Sequence, residues 1–151
     1  MIQQNEMIEK NYNYIRYILF RYSLAVFLFS NVNWAFMHLA APTVVVLLPL
    51  ILIIGILPAM FEQMKVYGKK EHKNSYLKYT KFYFAIQACV SGINIIAVIF
   101  RELFISLFPL FTNQWEAQVV IGVINLIGIL ISFYNLQKIQ KMNGRDYDGN
   151  R

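Results

Sequence analysis

A chain of 151 residues with 58% hydrophobic and only 15% charged side chains has more apolar surface than one water-soluble core can hide. Its net charge of +6 would suit a nucleic-acid binder, but the charges are clustered between long uncharged runs. That clustering points to membrane topology and away from a nucleic-acid partner. The single cysteine, Cys89, excludes an internal disulfide and a thiolate metal centre. Its neighbours Ala88 and Val90 predict a small buried hydrophobe.

A helix needs about 20 mostly apolar residues to cross a bilayer core. In chain order the windows that qualify are 22–41, 42–61, 82–100 and 119–136, and none of them contains Asp, Glu, Lys or Arg. The first is preceded by the tyrosine-rich start Tyr12, Tyr14 and Tyr17, with Tyr22 at its edge, as expected of an interfacial belt. Within it Asn31, Ala35 and His38 share one helical face and Asn33 points nearly opposite. Leu39-Ala40-Ala41 resembles a signal cleavage site. The Pro42 that follows, and Asn31 and Asn33 within the run, favour an uncleaved span.

The second window is the strongest. It holds thirteen Leu, Ile, Val or Phe residues, which favour insertion by about 4–8 kcal/mol together. Pro49 and Pro58 fall inside it and predict kinks, tolerated in lipid. A basic loop follows over 62–81, with Lys65, Lys69, Lys70, Lys73, Lys78 and Lys81 as candidate contacts to an anionic inner leaflet.

The third window carries Gln87, Ser91 and Asn94 on one narrow face at intervals of 4 and 3. The fourth carries Asn125, Gly128 and Ser132 at intervals of 3 and 4. In an antiparallel pair Asn94 meets Asn125, Ser91 meets Gly128 and Gln87 meets Ser132, each pair summing to 219. This predicts a packing seam, with Gly128 letting the backbones approach and the amides bonding across. Between the two windows lies an apolar outer loop, 101–118. Its run Leu103–Phe111 is expected to lie in the interface, to extend the third span, or to present Leu103, Phe104, Leu107, Phe108 and Phe111 to a partner. The tail 143–151 is expected to be disordered.

Thirteen of the fourteen Lys and Arg residues fall before the first window, in the 62–81 loop or after the last window; only Arg101 falls between the third and fourth. The positive-inside rule then places both termini and the basic loop in the cytoplasm. The predicted fold is an all-α integral membrane protein, an up-down bundle of four transmembrane helices with N-in/C-in topology, in the cell membrane of a bacterium.

Catalytic chemistry is not legible. Proton or cation pumping needs ionisable groups inside the bundle, a zinc hydrolase needs a His-Glu-x-x-His helix, and a nucleophile needs a base beside it. None of these patterns is present, so no catalytic, cofactor-binding or metal-ligating residue is assigned. The expected partners are the lipid bilayer and a protein or peptide in the membrane.

The layout resembles small multispan membrane proteins of low-GC bacteria, filed as transporter subunits or bacteriocin-immunity proteins. The resemblance rests on Tyr12-Asn-Tyr-Ile-Arg-Tyr17, the Pro-flanked second span and Phe61-Glu-Gln-Met-Lys-Val-Tyr-Gly-Lys69. It implies a non-enzymatic role, first in self-protection against a membrane-active toxin, or as an accessory subunit of a transport or secretion complex. A holin-like permeabilising role is the third expectation. No functional residue carries over from it.

Overall fold

A computed structural model describes residues 2–40, 43–68, 77–111 and 114–148, with side chains described over 18–40, 43–65, 77–111 and 114–141. Five α-helices follow in order: α1 (Ile2–Ala40), α2 (Leu47–Gly68), α3 (Lys78–Ile99), α4 (Arg101–Leu107) and α5 (Trp115–Asp148). Short 3-10 turns at Val44–Val46 and Pro109–Phe111 lead into α2 and follow α4. Four stretches are long and apolar enough to cross a membrane: Ile18–Ala40, Val44–Lys65, Lys78–Ile99 and Trp115–Lys141. Each overlaps one expected window with ends shifted by a few residues, because helices continue through their polar flanks.

Pro49 does not act as a kink. It lies in the first turn of α2, where its missing N–H breaks no hydrogen bond, and only Pro58 is interior. The tail also departs from expectation, since α5 runs on through Asp148, so 143–148 are helical. Ile139, fully buried three residues beyond the apolar window, keeps that helix against the core. Residues 149–151 lie outside the described ones, as do Lys69, Lys70 and Lys73 of the basic loop. Lys65, Lys78 and Lys81 are exposed.

The side-chain distribution is inverted relative to a water-soluble bundle. Asn31, Gln87, Ser91, Asn94, Ser132 and Asn135 are buried, while Val44, Ile51, Ile54, Phe82, Ile99 and Leu130 are more than half exposed. Water would penalise such a surface and hydrocarbon would not, whereas amides in hydrocarbon need partners inside the bundle. Cys89 belongs to the outward set and is exposed, not buried as its neighbours suggested. Its place two residues from both Gln87 and Ser91 turns it about 200° away from their face.

Two aromatic clusters hold the helices together. Toward the end that carries both termini, Phe20, Leu24, Phe27, Ile56, Tyr83, Phe84 and Ile139 form one core. There Phe27 meets Phe84 edge-on at 6.1 Å. Toward the opposite end, Trp34, Leu52, Phe104 and Phe108 form the second. Trp34 stacks on Phe108 at 5.6 Å.

Polar latches close both ends. At the terminal end the Glu62 carboxylate, from α2, accepts from Thr80 N at 2.8 Å, Thr80 Oγ1 at 2.8 Å and Tyr79 N at 3.3 Å. The residue before α3, Leu77, offers no side-chain cap. Glu62 therefore supplies from a neighbouring helix the anionic acceptor that the N–H groups at the start of α3 need. Gln63 Nε2 donates to Thr80 Oγ1 at 3.1 Å, and Arg21 donates to Gln63 O at 3.3 Å, which ties in α1. At the opposite end Trp34 Nε1 donates to Leu107 O at 3.1 Å. His38 Nδ1 and Thr43 Oγ1 lie 2.8 Å apart.

The apolar outer segment folds inward. Phe100 adopts an extended backbone that ends α3, and α4 then runs until Pro109. Phe104 and Phe108, spaced one turn apart, are buried against Trp34 and Leu52, so they form no partner surface. Leu107 and Phe111 pack at the edge of the same cluster, which leaves Leu103 as the one exposed member of the expected set.

Candidate functional site: a lateral polar-floored cleft

Helices α3 and α5 make the most extensive contact in the bundle, whereas α1 and α5 touch only sparingly. The α3–α5 contact is antiparallel. Asn94 Nδ2 donates to Asn125 Oδ1 at 3.1 Å. A Cβ on Gly128 would stand 3.3 Å from Ser91 Oγ, so glycine is what admits the neighbouring helix at this level.

The third expected pair does not form. Gln87 turns toward α1 instead: its Oε1 accepts from Asn31 Nδ2 of α1 at 3.2 Å and from Tyr83 Oη, one turn earlier on α3, at 3.0 Å. Asn31 Nδ2 also donates to Tyr83 Oη at 3.1 Å. Ser132 is buried, with its Oγ unpartnered among the described residues. The α1–α5 contact has its own polar bond, Asn135 Nδ2 to Ser23 Oγ at 2.9 Å, near the terminal end.

Asn31, Tyr83, Ser23 and Asn135 are thus site and packing residues that helical spacing did not single out as a set. Spacing ranks faces within one helix. It does not say how α1 is rotated against α3. The available signal was chemical: Asn31 and Gln87 are both amides in uncharged runs, and each needs a partner.

Above the Ser23–Asn135 bond the walls of α1 and α5 part. They leave a cleft of about 360 Å³ between α1, α3 and α5. Along α1 it runs from Val26 to Met37 and along α5 from Ile121 to Ile131, a length of about 16 Å at helical rise. Its walls are mainly apolar, with Val26, Phe27, Trp34, Phe108, Ile124 and Ile127, and carry the exposed polar Ser30 and Asn33 on the α1 side; its floor is Asn31, Gln87, Ser91, Asn125 and Gly128. No Asp, Glu, Lys, Arg or His lines it. The cleft opens sideways, on the surface that carries the exposed apolar side chains Ile124 and Ile127.

No family model matches the chain, and neither does any curated protein or solved structure. The cleft is therefore read from its own chemistry. It lacks titratable groups. Among the described residues no three His, Cys, Asp or Glu side chains gather to hold a metal ion. What it offers is a narrow apolar slot with hydrogen-bonding groups at the bottom.

A cleft of about 360 Å³ falls within the size range of small-molecule sites, with room for a hydrocarbon chain, a flat ring entering edge-on or a ridge of side chains.

Proposed function

We propose that the chain is a multipass membrane protein with both termini and the 62–81 segment in the cytoplasm. In this reading it works without catalysis, by holding a membrane-dissolved ligand taken laterally into the α1–α3–α5 cleft. The observation that carries the reading is the slot itself: apolar walls, an amide and hydroxyl floor, and an opening toward the lipid-like surface. The inverted burial pattern and the distribution of thirteen of fourteen cations support insertion and orientation.

A photoreactive benzophenone side chain placed at Ile124, on the lip of the cleft, tests the reading in native membranes. The expected result is one discrete adduct in excess of its share of the bulk lipid. Adducts in simple proportion to the phospholipid composition would refute it.

A second reading has support from the same opening. A peptide in the membrane can lay a ridge of side chains into the slot, which is what self-protection against a membrane-active toxin or docking in a transport complex would use. A peptide or protein adduct in the benzophenone experiment would select it. The outer segment no longer supports a toxin-binding role, because Phe104 and Phe108 are consumed in the core.

A further inference from the structure

The floor of the cleft has hydrogen-bonding capacity left over. Gln87 is 6% exposed and uses Oε1 for Asn31 and Tyr83, while its Nε2 donates to nothing among the described residues. Ser91, 2% exposed, likewise makes no hydrogen bond through Oγ among the described residues, although it lines the slot. Asn31 uses Nδ2 and leaves Oδ1 over. None of these three atoms is a fully buried one, so each stays reachable from the cleft, and hydrocarbon alone against them would leave their hydrogen bonds unmade.

These groups sit at mid-depth. Asn31 lies thirteen residues from Ile18 and nine from Ala40, about 20 Å and 14 Å along the helix. A phospholipid headgroup belongs at the interface and carries charge, and the slot holds no countercharge. A plain hydrocarbon chain enters but leaves Gln87 and Ser91 unmatched.

We infer that the cleft is a binding site for a neutral, ring-headed lipid of the quinone class, held through its ring oxygens by Gln87 and Ser91. Gln87 and Ser91 are four residues apart on α3 and so lie on one face of it, both lining the slot, where each can bond a different oxygen of one ligand. Asn31 Oδ1 supplies an acceptor for the hydroxyl of the reduced form. Phe27, Trp34 and Phe108 provide aromatic faces for a flat ring, and the rest of the slot takes its apolar tail. The proposal is one of binding only and contains no electron-transfer step. It rests on the lateral-receptor reading above.

Trp34 lines the slot and the chain's other tryptophan, Trp115, is 71% exposed outside it, so quinone quenching of tryptophan fluorescence reads the site directly. The Trp115→Phe protein in nanodiscs of zwitterionic lipid is titrated with a decyl-tailed benzoquinone. Trp34 emission is expected to fall along a saturable curve, while the Trp34→Phe protein, reporting through Trp115, shows only linear collisional quenching. Gln87→Leu and Ser91→Ala should each weaken the saturable phase by about three- to tenfold, the effect of one membrane hydrogen bond.

Ser91→Ala removes a single atom and keeps the test valid if Gln87→Leu fails to fold. Linear quenching of Trp34, unchanged affinity in both variants, or equal displacement by 1-dodecanol would overturn the assignment. If quinone fails while benzophenone at Ile124 still yields a discrete adduct, the receptor reading stands and only the ligand class falls.

Discussion

Gly128 offers the sharpest single test of how the bundle is packed. A Cβ there would stand 3.3 Å from Ser91 Oγ and 3.5 Å from Phe27 Cε1, at the level where α1, α3 and α5 converge. Gly92 on α3 has nothing within 4 Å of its ideal Cβ. Replacing each by leucine makes the same chemical change in two environments. At 128 the methyl groups must displace a hydroxyl on one helix and a ring on another, and overpacking of this kind costs about 1–3 kcal/mol. At 92 the side chain extends into open space, and the expected change is within about 0.5 kcal/mol. Reversible unfolding in mixed micelles, followed by circular dichroism, gives both numbers. The Gly128→Leu protein should be the less stable by more than 1 kcal/mol and should lose ligand capture, because the new side chain fills the cleft floor. Equal stability of the two variants would refute the three-helix convergence at Gly128.

Three further outcomes follow from specific contacts. A double-mutant cycle on Asn94→Leu and Asn125→Leu should give a coupling near 0.6 kcal/mol, typical of a membrane amide bond; the matching cycle on Gln87 and Ser132 should give none, since no bond joins them. Glu62→Ala should cost about 1.5–3 kcal/mol, as expected for hydrogen bonds to a charged group, and should speed amide hydrogen exchange at Tyr79 and Thr80, whose N–H groups it holds. Phe104→Ala should cost about 3–5 kcal/mol and Leu103→Ala within about 0.5 kcal/mol by thermal unfolding, because Phe104 is fully buried and Leu103 is 51% exposed. Similar losses for those two would mean that α4 does not fold inward.

Helix positions and the α3–α5 register were legible because both depend on intervals within a segment. Asn94 and Asn125, or Ser91 and Gly128, match whatever span ends are drawn, since antiparallel neighbours keep a constant index sum. Gln87 broke the pattern because two candidate partners competed for one amide. Asn31 from α1 and Tyr83, one turn back on α3, gave its Oε1 two bonds, and Ser132 offered one. Interval arithmetic on α3 and α5 cannot see the contribution of α1. Phe104 and Phe108 were misplaced for a related reason: hydropathy says that an apolar segment must avoid water, but not whether lipid or protein covers it. Their one-turn spacing, and a buried Trp34 whose N–H needs an acceptor, were the signals that could have placed them inside. The cleft itself was not legible, since it arises from where α1 and α5 diverge.

The walls of the cleft come from the first and last long helices, and the two touch little outside the Ser23–Asn135 bond. In the proposed reading the binding site therefore does not exist until α5 is in place. With α1, α2 and α3 alone, Ser91 and Asn94 form an uncovered polar strip on α3. Packing of α5 covers that strip and, in the same event, creates the slot, so assembly of the bundle and acquisition of the proposed ligand site are one step.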